Sequence, residues 1–360
     1  MIKGVLRWVY KNGFARLPAP GRKIFSAIDY RLASRPRIYH DPQVHPAARL
    51  ATGTVTFSLD FELAWAWQFA KSAGEDPVAK GLRERAQVPR ILSWFDEFSI
   101  PATWATVGHL FLERCSRENG RFAHAEMPRI PPFETEYWRF DKGDWYANDP
   151  CTDVSRDPAW YAPDLVESVL AAPAGHEIAC HSFSHVGFGS YCPADVAAAE
   201  VEACREAMRS YGLSPTTWVF PANDVGNLET LVRGGIEIIR AFPRPSAKIT
   251  LPVQRADRMW SVHVSSAIDR GKGWSLEERL TRLKRFVTAA GEARMNAHIW
   301  LHPSLHPDLM HFVLFPLLRF CAEERDRGNV EIVTMKELVR ATSAAAMLKQ
   351  SFHARERRFD

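Results

Sequence analysis

The stretch "GHEIACHSFSH", residues 175–185, crowds three imidazoles into one short segment. His181 and His185 are four apart, a spacing that sets two ring nitrogens on one side of a helical turn, within reach of a single ion. Ser182 stands where the HExxH pattern needs its glutamate, so the ligand set has to be completed from elsewhere in the chain. A carboxylate suits a hydrolytic ion, which keeps one position open for water. "TFSLDFE" offers Asp60 and Glu62, and "HIWLHP" offers His302. Such a set would do metal-assisted hydrolysis. The ion polarises an amide or ester carbonyl and brings the pKa of its water towards about 7, a carboxylate takes the water proton, and an imidazole protonates the leaving amine.

These residues must be delivered by strands. From residue 51 the chain alternates short β-rich runs with helical stretches, the pattern of βα units around a parallel sheet or barrel. In such folds the reactive groups collect just past the carboxyl ends of strands. Asp60 and Glu62 follow "TVTFSL", His181 and His185 follow "HEIAC", Pro221, Asn223 and Asp224 follow "TTWVF", and His302 follows "NAHIWL". Between them, "VPRILSWFDEFSI" reads as a helix with Val88, Ile91, Leu92 and Phe95 on one face, and "PADVAAAEVEACREAMRSYG" as a helix ended by Gly212. "LEERLTRLKRFVTAAGEA" and "VLFPLLRFCAEER" read as later helices. Residues 111–160 lack periodicity and read as a long insertion, part of it over the barrel mouth. Its aromatics, Trp138, Trp145, Tyr146, Trp160 and Tyr161, either line a ligand cleft or form a minor core under the loop.

In that order the motifs resemble the polysaccharide deacetylases, the NodB-homology or carbohydrate esterase family 4 proteins, over about residues 51–340. "TFSLDFE" is similar to the first motif, "PATWATVG" to the strand after it, "GHEIACHSFSH" to the histidine motif and "HIWLHP" to the last. The histidine stretch is the specific part, whereas an acid pair at a strand end is common on solvated loops. The resemblance implies a distorted (β/α)7-type barrel with one divalent ion, zinc by expectation. Asp60 would be the general base, Glu62, His181 and His185 the ligands, and His302 the proton donor. Phe61 separates two acids that are adjacent in the usual family pattern, so which of Asp60 and Glu62 binds metal stays open. Val219 stands where family members carry an arginine that holds the base. That leaves Asn223 or Asp224 to orient Asp60, and either the sugar pocket is rebuilt or the activity is lost. Trp260 in "ADRMWSVH" is similar to the tryptophan packed beside the donor, and is equally a core aromatic. Pro221, Asn223, Asp224 and Trp260 are therefore the expected substrate contacts. His306 competes with His302, while His109, His176, His263 and His298 read as structural or surface residues.

Composition sets the bounds. A chain of 360 residues with 46% hydrophobic and 24% charged side chains can bury a large core. Six cysteines without a CxxC pair suggest neither a disulfide framework nor a zinc knuckle. Cys180 reads as a small strand residue rather than a nucleophile. A net charge of +4, with no basic stripe interleaved with aromatics, argues against a nucleic-acid partner. Residues 1–40 carry nine Lys and Arg against Asp29 alone, and Ile2, Val5, Leu6 and Val9 lie at helical spacing. This basic extension, residues 1–50, is either a helix docked on the barrel or a peripheral contact with an anionic leaflet. No apolar run reads as a secretory signal, which gives a cytoplasmic expectation, peripheral to the inner membrane face. The expected substrate is a small or lipid-linked sugar, with an N-acyl group removed in surface polysaccharide or glycolipid synthesis. Hydrolysis of another non-peptide C–N bond, or a silent metal- or sugar-binding pseudoenzyme, is the alternative. Residues 341–360 read as a helical basic tail.

Overall fold

The computed structural model describes residues 36–39, 49–71, 74–241, 248–269 and 273–344. The basic segment at residues 1–35 and the tail beyond residue 344 lie outside the described residues, and with them the amphipathic helix expected at the start. Among the described residues no helix is long and apolar enough to cross a membrane.

The first long strand, β1 (Gly53–Phe61), is buried at every position, as a strand covered on both faces must be. Its two faces differ in chemistry. Val55, Phe57, Leu59 and Phe61 belong to the main apolar cluster with Ile91 and Phe95 of helix α1 (Pro77–Glu97), and Phe57 meets Phe95 edge-on at 5.7 Å. Thr54, Thr56, Ser58 and Asp60 form the opposite, polar face, where the Thr54 and Thr56 hydroxyls donate to Asn296 Oδ1 at 3.0 and 3.1 Å. A period-two alternation inside a fully buried strand thus separates an apolar layer under the helices from a polar interior.

The remaining strands are β2 (Thr103–Thr106), β3 (Glu177–Cys180), β4 (Thr217–Trp218), β5 (Ile238–Ala241), β6 (Trp260–His263), β7 (Ser266–Ala267), β8 (Asn296–Leu301) and β9 (Val330–Ile332). They run in the spatial order β6-β5-β4-β3-β2-β1-β8-β7, with β9 also paired to β1 and a short antiparallel strand, Val253–Gln254, outside β6. Every other pairing in this sheet is parallel. Three strands, β4, β3 and β2, lie between β5 and β1 along the chain of pairings, yet Arg240 of β5 reaches Asp60 and Ser58 of β1. Only a sheet curled on itself allows that contact, and this curled α/β half-barrel agrees with the distorted (β/α)7-type barrel expected from the sequence.

Helices α2 (Pro163–Ala171), α3 (Ala194–Arg209), α4 (Leu228–Arg233), α5 (Leu276–Ala293) and α6 (Phe315–Asp326) complete the main alternation. Helix α1 starts eleven residues before the "VPRIL" read as its beginning. Asp76 caps it by accepting from Ala79 N at 3.0 Å, Pro77 takes the first turn, and the helix runs through Pro89. A capping box between Ser275 and Glu278 starts α5. Gly53 lets α5 lie against the start of β1, since a Cβ there would stand 2.2 Å from the Ala290 carbonyl oxygen. The insertion holds two minimal hairpins, Arg117–Glu118 with Phe122–Ala123 and Phe133–Glu134 with Arg139–Phe140.

Candidate active site

Strand alternation explains why an interposed Phe61 does not separate the two acids in space. Phe61 turns to the helix layer, edge-on to Trp104 at 5.9 Å, so Asp60 and Glu62 both face the interior. The chain then breaks out of the strand at Leu63, whose φ of +49° opens the turn Leu63–Ala66. Glu62 N donates to Glu84 Oε1 at 3.0 Å, which fixes the departure. Burial, with the charges of Glu62 and Asp60, pushes the Glu84 carboxyl well above its usual range.

At the end of β3 a similar break occurs. Ser182 and His185 both adopt left-handed φ, +53° and +64°, a conformation that costs non-glycine residues about 1–3 kcal/mol each and persists only where surroundings enforce it. Glu200 of α3 does so here. Its carboxylate accepts from Phe183 N at 2.7 Å, Ser184 N at 2.9 Å and Ser184 Oγ at 2.6 Å. No local pattern in the α3 sequence marks Glu200 for this task.

The held loop brings His181 Nε2 to 2.9 Å and His185 Nε2 to 3.1 Å from the same oxygen, Glu62 Oε1. His181 Nδ1 donates to the Val219 carbonyl at 2.9 Å, which leaves the Nε2 lone pair of a neutral ring facing Glu62. All three side chains are buried, and among the described residues Glu62 Oε2 has no hydrogen-bond partner. Burial pushes the Glu62 carboxyl up, but His302, His185 and His181 outweigh it and hold the group well below the ordinary carboxylate range. Burial lowers the His185 pKa, against the pull of the Glu62 charge and hydrogen bond. An ionised oxygen, two aimed imidazole nitrogens and an orphaned second oxygen are the donor chemistry that a divalent cation fits.

On the rim of this group stand the acid–base candidates. His302, at the end of β8, places Nε2 3.7 Å from Glu62 Oε2 and 3.9 Å from Asp60 Oδ2, with 21% of its side chain exposed. Arg240 grips Asp60 with both guanidinium nitrogens, Nη2 at 2.6 Å from Oδ2 and Nη1 on Oδ1. Arg240 also donates to Ser58 Oγ at 3.1 Å and to Asn223 Oδ1 at 3.2 Å, and lies 4.9 Å over the Trp300 ring. The expectation that Asp60 lacks a cation is therefore corrected. The guanidinium missing at Val219 comes from the next strand, and the curl of the sheet carries it to the same carboxylate. Asn223 touches the arginine rather than the aspartate.

The other expected contacts divide. Pro221–Asn223 form a short turn after β4, with Ala222 and Asn223 in left-handed conformation. Asp224 packs over Gly189, where a Cβ would stand 2.4 Å from Oδ2, and does not orient Asp60. Trp260 opens β6 beside Ile238 and packs against the lesser apolar cluster of Leu50, Ile238, Val262 and Met335. The tryptophans beside His302 are Trp300 and Trp67, at 4.8 and 5.9 Å between ring centres. His306 is 70% exposed and faces Asp308. Of the insertion aromatics, Trp138 meets His185 edge-on at 5.0 Å, and Trp145, Tyr146, Trp160 and Tyr161 are buried core. His298 is buried with Nε2 2.8 Å from Ser58 Oγ.

Comparison with known proteins places this geometry. The fold is shared at a TM-score of 0.58 with a protein from Mycobacterium smegmatis provisionally assigned as a polysaccharide deacetylase, at 16% identity over 86% of this chain and 96% of the other. It is shared at 0.54 with PuuE allantoinase, at 17% identity over 81% and 90% of the two chains. A Pseudomonas aeruginosa PAO1 protein, also provisionally assigned as a polysaccharide deacetylase, gives 0.53 at 16% identity over 80% and 90%. Among curated proteins no relative matches. The polysaccharide deacetylase family profile matches residues 80–231. Residues 80–231 thus resemble the polysaccharide deacetylase family, and most of the chain shares the fold of the proteins just named. The matched span holds His181 and His185, with Asp60, Glu62, Arg240 and His302 outside it.

Proposed function

We propose that this protein is a metal-dependent deacetylase-like hydrolase that removes an N-acyl group, N-acetyl foremost, from a sugar in surface polysaccharide or glycolipid synthesis. Glu62, His181 and His185 would hold one divalent ion, zinc by the preference of a mixed nitrogen and oxygen set. When bound, such an ion polarises an acyl carbonyl and acidifies water. Asp60 takes the proton of the attacking water. The Arg240 fork compensates its charge and fixes its direction, while each carboxylate oxygen keeps a lone pair to accept with. His302 returns a proton to the departing amine from the exposed rim, its ring held between Trp300 and Trp67.

The observation that carries this reading is the meeting of two imidazole nitrogens on one Glu62 oxygen beside an arginine-clamped aspartate. The test is acetate release from N-acetylated oligosaccharides by protein reconstituted with zinc or cobalt. Release that requires the ion and disappears in Asp60→Asn and His302→Gln supports it, whereas stoichiometric metal without release from any acylated sugar supports a binding protein. Hydrolysis of a ureide-type C–N bond is a second reading, favoured by the rebuilt arginine position and by the shared fold with an allantoinase at a TM-score of 0.54. Action on a lipid-linked precursor at the inner membrane face would employ the basic N-terminal segment, and unchanged membrane partitioning after deletion of residues 1–25 would remove that part.

A further inference from the structure

A second set of donor atoms converges outside the candidate active site. His109 Nε2, His124 Nε2, Asp149 Oδ2 and Cys115 Sγ come from four separate points of the chain and lie within 4.8 Å of one another. His109 sits in the turn Gly108–Phe111 that follows β2, and the other three belong to the insertion. The two imidazole nitrogens are 3.1 Å apart, and they stand 3.1 and 3.2 Å from the same Asp149 oxygen. Cys115 Sγ lies 3.2 Å from that oxygen.

With neutral rings, protons do not satisfy every edge of this triangle. Each Nε2 holds at most one hydrogen, which points along one edge, while it faces two partners. His109 Nδ1 stands 3.3 Å from the Trp160 carbonyl, which only accepts, so a neutral ring carries its hydrogen there and turns the Nε2 lone pair towards the carboxylate. His109 and Asp149 are wholly buried, and the His124 side chain is 9% exposed. Lone pairs aimed at one buried point repel one another unless a cation lies between them.

We propose that His109, Cys115, His124 and Asp149 form a second, closed metal site that takes zinc and serves structure rather than turnover. Metal–ligand bonds of about 2.0–2.3 Å put tetrahedral donors roughly 3.3–3.8 Å apart, a small expansion of the edges seen. Two anionic donors and two neutral imidazoles balance a divalent charge, which suits a buried position. The outer partners are in place. Asp149 Oδ1 accepts from Cys151 N at 2.8 Å and from the Tyr161 hydroxyl at 3.0 Å, and His124 Nδ1 lies 3.5 Å from Glu126 Oε1. A cleft of about 570 Å³ lined by His124, Phe183 and Met127 gives an ion a way in. The site ties the insertion to the barrel and buttresses both loops of the candidate active site. Phe183, between His181 and His185, packs on the His109 and His124 rings at 5.6 and 5.2 Å, and Trp65, three residues after Glu62, stacks on His109 at 4.4 Å.

The experiment uses the full chain loaded with cobalt. The Glu62 set contains no sulfur, so a thiolate-to-cobalt charge-transfer band in the near ultraviolet reports on Cys115 alone and is independent of turnover. The band is expected in the unaltered protein, lost in Cys115→Ser and kept in Cys151→Ser. Elemental analysis should give close to two zinc ions per chain, falling to about one when His181 and His185 are both replaced by alanine in protein that keeps its circular dichroism. Absence of the sulfur band in the unaltered cobalt protein overturns the proposal, as does complete loss of metal from a folded His181→Ala, His185→Ala variant. Acetate release plays no part in either readout, so the hydrolase reading fails or stands separately.

Discussion

Around Glu62 one carboxylate oxygen meets two imidazole nitrogens at 2.9 and 3.1 Å, and around Asp149 one meets two at 3.1 and 3.2 Å. In each set a backbone carbonyl, Val219 or Trp160, fixes the tautomer of one ring. What surrounds them differs. Among the described residues the Glu62 set has three donors, a carboxylate oxygen without a hydrogen-bond partner, and a rim formed by Asp60 and the partly exposed His302. The Asp149 set has a fourth donor in Cys115 and both carboxylate oxygens engaged, with the Tyr161 hydroxyl on Asp149 and the exposed Glu126 beside His124. On the proposed reading, turnover is expected only at the set that leaves a coordination position for water and has a proton acceptor beside it.

The comparison is broken most strongly at Asp60. Asp60→Asn keeps the donor set and should reduce kcat by about 10²–10⁴-fold with metal content unchanged, measured by acetate release and elemental analysis together. A variant that loses its metal as well would show that Asp60, not Glu62 alone, is a ligand. Arg240→Met should follow in size, because it leaves a buried carboxylate without its partner. A loss of about 3–5 kcal/mol in denaturant unfolding is expected, with Arg240→Lys recovering part of the stability and little of the rate, since a lysine lacks the two-pronged grip. Equal stability of Arg240→Met and the parent would show that the clamp is not needed. Brief dialysis against a chelator should remove the ion of the open set first. Activity would be lost and restored by zinc while the cobalt–sulfur band persists, and simultaneous loss of both would erase the distinction between open and closed sites. His176 gives the smallest effect and serves as a histidine outside both sets. Burial lowers its pKa to about 4, so the unfolded chain takes up a proton below about 6.5 that the folded chain refuses until about pH 4. Stability is complete above that window and declines as pH falls through it, by at most about 1.4 kcal/mol per pH unit. His176→Gln should show the shallower slope in unfolding curves recorded between pH 7 and 4.

Asp60, Glu62, His181, His185 and His302 were legible because each lies at or shortly past the end of a short β-rich run, and strand ends are where a parallel fold gathers its reactive groups. Arg240 was not. It lies inside "IEIIRAF", a buried strand whose pattern gives no sign of a partner, and its partner is fixed by curvature rather than by spacing. Trp260 was matched by its neighbours in sequence, yet β8 supplies Trp300 next to His302 and takes the place expected of it. His109, Cys115, His124 and Asp149 follow no recognisable ligand interval, because three of them sit on an insertion whose path no periodicity encodes.

By itself the sequence determined the alternation of strands and helices, the polar and apolar faces of β1, and the presence of five reactive side chains at strand ends, all local matters of residue type and period. The tertiary structure alone decided that Glu62 rather than Asp60 meets the imidazoles, that an arginine four strands away clamps the aspartate, and that a second donor set closes within the insertion. Those outcomes depend on how far a twisted sheet curls and where a long loop folds back, distances in space to which neighbours in sequence contribute almost nothing.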